Sequence, residues 1–286
     1  MTNDGEAGVR YVDANGLRFA YLGWGLEAKD GPLVLAVHGF PDTPHTWSVL
    51  GPALADAGFR VVAPFLRGYA PTQIPERDTS IEDLGRDVLA LVEALGAERA
   101  HLVGHDWGAE AVYAAAGLAP ARVETLTGIA IPHRARLRFT ARMLWGLRHV
   151  VELSLPGAEA RFPSNDFAKV DELIRRWSPT WTPSAAELAP IKDCFRRPGS
   201  VHGALGYYRA ARVTTPPFMK EPVRAPTLYV VGADDPAVSA RDFEGTRSHF
   251  PGGLTVASIP GGHFCHREAP DALLPHLVEH LRASAR

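Results

Sequence analysis

The sequence predicts an α/β fold, a mostly parallel sheet flanked by helices and interrupted once by an inserted helical segment. Three observations carry this. Short apolar runs alternate with stretches of helical periodicity along most of the 286 residues. The run at 33–37 is apolar at consecutive positions, as a strand covered on both faces must be. After Pro132-His133 the alternation stops, and it resumes only near residue 227.

The elements follow in order. Residues 9–13 and 17–22 read as strands joined by Asn15-Gly16, a strong hairpin signal. The strand at 33–37 runs into His38-Gly39-Phe40-Pro41, and a helix is expected near 47–57. Residues 60–64 form the next strand, and 80–95 an amphipathic helix opened by Ser80 with Asp83 three positions on. The strand near 102–104 leads to Gly104-His105-Asp106-Trp107-Gly108 and the helix-forming run 109–116, and 123–131 is again strand-like. Strands at 227–231 and 254–259 and a closing helix at 270–282 complete a core of residues 1–132 and 216–286. The stretch 133–215 between them is read as a helical cap, because a structureless segment of that length is rare in a compact domain. Helical patterns at 139–153 and 165–177 support this.

With 46% hydrophobic and 22% charged residues the chain can bury a sizeable core, which excludes a disordered or fibrous protein. A net charge of -2 without a long basic run gives no reason to expect nucleic acid or an anionic membrane as partner. No stretch reaches the roughly 18 apolar residues of a spanning helix, and residues 1–10 lack the apolar centre of a signal peptide. Only Cys194 and Cys265 are present, too few for a disulfide framework. The expectation is a cytoplasmic protein with a homodimer left open.

Asp106 is the most informative residue. It sits in a strand-turn-helix elbow of the form small-x-nucleophile-x-small, where flanking glycines leave room for a strained nucleophile. A serine there would need a base to remove its proton, whereas a carboxylate is already ionised. Attack on an ester would give a mixed anhydride, so a carboxylate suits a saturated carbon with a leaving group: an epoxide carbon or a carbon–halogen bond. Gly-x-Asp-x-Gly also occurs in ordinary tight turns, and the context decides. Loops after parallel strands gather at one sheet edge, so Asp106, the Asp234-Asp235 turn and His263 can converge. Their chain order of nucleophile, acid and histidine is that of α/β-hydrolases. His263, Cys265 and His266 have no matching second cluster of metal ligands, which favours a catalytic loop over a metal site.

On His38-Gly39-Phe40-Pro41, the Arg67-Gly68-Tyr69 turn, the Asp106 elbow, Gly232-x-x-Asp235 and Gly262-His263-Phe264, the chain resembles the α/β-hydrolase superfamily and within it the soluble epoxide hydrolases. The resemblance covers about residues 9–132 and 224–286. It departs at Ala70, where the Arg-Gly-Tyr turn usually continues with glycine. It implies a two-step reaction: Asp106 opens the epoxide to a covalent ester, and His263, oriented by an acid, activates water to hydrolyse it. Backbone N–H groups of Phe40 and Trp107 would hold the oxyanion, and Pro41 is typically cis. Of the two aspartates the family's spacing selects Asp235. Tyr208, which precedes Arg209, matches a lid tyrosine that donates to the epoxide oxygen, while Tyr207 is expected to pack. A second lid tyrosine is missing; its spacing before Pro156-Gly157 falls on His149, which the resemblance makes the other ring-opening donor. No cofactor and no metal are implied. The implied partners are a small apolar or weakly polar epoxide and water. Haloalkane dehalogenation by the same aspartate is the rival, weakened because Phe40 offers no side-chain donor for a halide. A non-catalytic ligand-binding protein of the same fold is the alternative from a different class.

Overall fold

The computed structural model describes residues 8–136, 140–212 and 214–283. Among these residues eight strands form one sheet: β1 (Arg10–Ala14), β2 (Leu17–Trp24), β3 (Leu33–Val37), β4 (Arg60–Pro64), β5 (Ala100–His105), β6 (Val123–Ile129), β7 (Thr227–Gly232) and β8 (Leu254–Ile259). Their spatial order is β1-β2-β4-β3-β5-β6-β7-β8. The first two pairings are antiparallel and all the others parallel. Asn15 and Gly16 turn the β1–β2 hairpin with φ of 46° and 74°, the positive values that a two-residue hairpin loop demands.

The unbroken apolar run of β3 is explained by its two faces. Leu33, Leu35 and Val37 pack with Leu84, Val88 and Leu91 of α2 (Ile81–Ala94) and with the alanines of α3 (Trp107–Leu118). Val34 and Ala36 pack with Leu50 and Leu54 of α1 (Leu50–Asp56) and with Leu273, Leu277 and Leu281 of the C-terminal helix Pro270–Ala283. Ser80 caps α2 in a reciprocal box with Asp83. The helix expected at 47–57 is shorter, because Pro44 opens a separate 3₁₀ turn through Trp47. The strand expected to reach residue 131 stops at Ile129, where Ala130 turns the chain with φ of 66°.

Among the described residues between β6 and β7 run six α-helices: α4 (Ala141–Gly146), α5 (Arg148–Ser154), α6 (Ala158–Arg161), α7 (Ser164–Trp177), α8 (Ala185–Arg196) and α9 (Ser200–Ala210). The helix expected at 139–153 is broken at Leu147, and its first residue, 139, lies outside the described residues. In α7, Asn165, Asp166 and Phe167 stand at φ of 52°, 53° and 58°, so regular right-handed helix begins only after them. Asn and Asp tolerate that region, and Phe167 is held in it by packing on Phe162 and Phe195. After β7 come α10 (Ala240–Glu244), α11 (Cys265–Glu268) and α12 (Pro270–Ala283). Among the described residues no helix is long and apolar enough to cross a membrane. Cys194 and Cys265 are both free and buried.

Candidate active site

β5 ends at His105 and α3 begins at Trp107, which leaves Asp106 alone on the turn with φ of 52° and ψ of -118°. A non-glycine residue held there stores strain on the order of 1–3 kcal/mol. The surrounding backbone explains the flanking glycines: a Cβ on Gly104 would lie 2.2 Å from the Gly108 carbonyl oxygen, and one on Gly108 would lie 2.2 Å from that of Val37. Gly39, to which the sequence reading gave no role, is equally constrained, because a Cβ there would meet the Cβ of Asp106 at 2.4 Å.

The Asp106 carboxylate is oriented from both sides. Phe40 N–H donates to its Oδ1 at 2.8 Å from the loop after β3, where the Phe40-Pro41 peptide is cis. Its Oδ2 lies 3.5 Å from His263 Nε2. On the other edge of that ring, Nδ1 lies 3.4 Å from Asp235 Oδ2. Asp235 is fixed in turn, for its Oδ1 accepts the N–H groups of Ala237 at 2.7 Å and Val238 at 3.0 Å. The two imidazole separations are ion-pair distances, and hydrogen bonds of catalytic groups often tighten only when substrate binds. Asp234 is exposed, whereas Asp235 is buried, so only the second faces the histidine. The side chain of Asp106 keeps 12% of its surface open and that of Asp235 only 1%, which separates a group a ligand can touch from one it cannot.

Burial alone would drive His263 toward its neutral form, but the neighbouring Asp106 and Asp235 outweigh it and hold the imidazole up at about 9. The two aspartates flanking the ring thus favour its protonated form. Trp107 is the first residue of α3, so its amide belongs to the helix-start donors that lack an intrahelical acceptor.

Tyr208 of α9 packs edge-on against both Phe40 and Trp107, with ring centroids 5.1 and 5.4 Å apart. Its hydroxyl is buried without a partner in hydrogen-bonding geometry among the described residues. Burial first, and the charge of Asp106 second, keep it a phenol. Tyr207 packs as expected and donates its hydroxyl to the Arg67 carbonyl at 2.6 Å. The Ala70 loop, where the sequence departs from its family's pattern, is tied to the inserted helices: Ala70 N–H donates to Ser200 Oγ at 3.0 Å.

His149 of α5 lies between Tyr208 and Trp177, at centroid distances of 5.7 and 4.6 Å. Its Nδ1 is 2.9 Å from the Gly146 carbonyl oxygen. A carbonyl can only accept, so Nδ1 carries the hydrogen and Nε2 of the neutral ring is a bare lone pair. Burial lowers this imidazole to about 4, against the opposing effects of the Gly146 bond and Asp106. The expected second donor therefore reaches this region but donates through Nε2 only as an imidazolium. Two further contacts had no local signal in the sequence. His263 N–H donates to the Trp177 carbonyl at 3.0 Å, and Phe264 N–H to Ser178 Oγ at 3.0 Å, both across more than eighty residues of chain.

A sheet of this order with a carboxylate elbow, an acid and a late histidine at one edge defines a class, and comparison with known proteins agrees. A family model described as alpha/beta hydrolase fold matches residues 32–270, so the chain belongs to the α/β-hydrolase family and is a hydrolase. Within that family it resembles epoxide hydrolases. It is 29% identical to an epoxide hydrolase of Caballeronia sordidicola, over 99% of this chain and 96% of that protein. It is 28% identical to the AB hydrolase superfamily protein YfhM of Bacillus subtilis (strain 168), over 96% of this chain and 97% of that protein. Among solved structures, epoxide hydrolase VrEH1 from Vigna radiata is similar with a TM-score of 0.82 at 26% identity, covering 96% of this chain and 98% of that one.

Proposed function

We propose that the protein opens an epoxide to a vicinal diol through a covalent ester on Asp106, with residues 133–215 acting as a cap over the site. The observation that carries this reading is the line Asp235–His263–Asp106, with the unpartnered Tyr208 hydroxyl packed beside it.

In the first step an Asp106 oxygen bonds to an epoxide carbon and the carbon–oxygen bond of the ring breaks. The developing alkoxide takes a hydrogen bond and then a proton from Tyr208, the donor available at neutral pH. His149 adds a second donor only in its charged form. Esterification removes the negative charge of Asp106, one of the two groups holding His263 protonated, and the imidazolium proton passes to the new alcohol by way of Tyr208. His263 thus becomes a base at the moment one is needed. In the second step it takes a proton from water, the hydroxide adds to the Asp106 ester carbon, and the tetrahedral oxyanion accepts the Phe40 and Trp107 N–H groups, each worth ~100-fold or more in rate. Collapse releases the diol and restores both the carboxylate and the imidazolium.

Single-turnover hydrolysis of a styrene-type epoxide in heavy-oxygen water tests the reading. Label entering Asp106 before the diol supports it, and label in the first-turnover diol overturns it. A parallel panel of chloroalkanes keeps the rival in view, since halide release without diol formation would move the assignment to dehalogenation.

A further inference from the structure

Behind the catalytic loop lies a second group of buried histidines that neither chemical step uses. His105 immediately precedes the nucleophile and is fully buried. Its Nε2 lies 3.0 Å from the main-chain carbonyl oxygen of His263. Because that oxygen can only accept, Nε2 carries the hydrogen and Nδ1 is a bare acceptor. Nδ1 is itself buried without a hydrogen-bond partner among the described residues. An orphaned acceptor in the interior costs stability that an apolar ring of similar size would not, so packing alone does not explain a histidine here. What the residue gains is its hydrogen bond to the peptide of the catalytic histidine.

The ring of His105 also rests on that of His266, with centroids 4.2 Å apart. His266 Nε2 lies 2.6 Å from Thr46 Oγ1, on the segment that follows the Phe40 loop. Burial drives both imidazoles well below their ordinary range, with like charge on neighbouring histidines and on Arg267 adding to the effect, so this set is neutral. Nucleophile strand, Phe40 segment and His263 loop are thereby joined through uncharged rings.

We propose that His105 is a positioning residue for the hydrolytic step: its Nε2–H anchors the peptide of His263 and so sets the imidazole against Asp106. This rests on the ester mechanism proposed above. Ring opening depends on it much less, because the attacking carboxylate is held separately by Phe40 N–H. A displacement of about 1 Å in a reacting group can cost ~100-fold, so a modest slip of the loop should be visible in the second step.

The test follows the mass of the Asp106 peptide by rapid quench during single turnover of styrene oxide, in the parent, His105→Phe and His105→Gln. Phenylalanine keeps the shape and loses the donor; glutamine keeps a donor at a similar reach. His105→Phe is expected to form the ester within about 3-fold of the parent rate and clear it at least ~10-fold more slowly, with His105→Gln recovering most of the loss. Clearance at the parent rate in His105→Phe overturns the proposal, as does an equal fall in both steps that glutamine does not restore. Should His105→Phe fail to fold, the parent still decides through nitrogen-15 spectra of its histidine rings. The His105 ring must carry its hydrogen on Nε2 alone from about pH 6 to about pH 9, and a hydrogen on Nδ1 or a titration in that range overturns the proposal. A parent that never gains ester mass overturns the underlying mechanism as well, and is told apart because it fails before any substitution is made.

Discussion

Removing the charge of Asp106 should change the pH dependence of folding, and the size of the change follows from the site. His263 stands at about 9 in the folded protein against an ordinary 6.5. At 1.36 kcal/mol for each pH unit, that difference corresponds to about 3 kcal/mol. Below pH 6.5 the ring is protonated in both folded and unfolded chains, and the contribution is present in full. Between 6.5 and about 9 the unfolded chain loses the proton while the folded site keeps it, so the contribution falls away as pH rises. Asp106→Asn removes one of the two charges that hold the imidazole up, and leaves Asp235 alone against burial. Urea unfolding at about pH 6.5 and about pH 9.5 should show the parent losing more across the window than the variant, by more than about half of the ~3 kcal/mol that His263 contributes. Cys194, whose thiol burial pushes up to about 12, and Cys265, pushed up likewise, weaken the fold at the alkaline end in both proteins and cancel in the comparison. Parallel curves for parent and variant would refute the picture of an imidazolium held between two carboxylates.

Three further outcomes are expected. Asp235→Asn should lower epoxide turnover ~100-fold or more while Asp234→Asn stays within about 3-fold, since only Asp235 faces His263; a larger loss at Asp234 in steady-state rates would reverse the assignment. Tyr208→Phe should slow ester formation ~10-fold or more without ester accumulating, whereas His149→Ala should change the rate at neutral pH by less than about 3-fold because neutral Nε2 has no hydrogen to give; rapid-quench mass spectrometry separates the two. Acid should destabilise the fold, with the opposite sign to His263: burial lowers His38, His101 and His149 to about 4 and His133 to about 3, so the unfolded chain takes up protons first as pH falls below 6.5. Melting temperatures measured from about pH 7 down to about pH 4.5 should drop steadily, and a flat profile would contradict the burial of these rings.

The elements that could be read from the chain are those whose signals are local. The Asn15-Gly16 turn, the Ser80–Asp83 box and the apolar alternation of β3 each rest on a few neighbouring residues, and each appears in place. The same holds for Asp106, Asp235 and His263, because elbow, turn and loop each have their own short pattern and the sheet brings them to one edge. What escaped is what distant contacts decide. No nearby residue foretells that α7 begins with three left-handed residues, or that the His149 ring turns its hydrogen toward Gly146 and away from duty as a neutral donor. The tight fit of Gly39, where a Cβ would come within 2.4 Å of the Asp106 Cβ, likewise depends on a residue 67 positions away.

The main-chain bond from His263 to Trp177 has a consequence for exchanging parts among related enzymes. The His263 ring hangs partly from the end of α7, with Ser178 gripping the next peptide, so the helices between β6 and β7 hold that imidazole in place as well as carrying Tyr208. A chimera that transplants this segment from a relative must reproduce the Trp177-Ser178 junction, or it will arrive with the His263 ring out of line with Asp106.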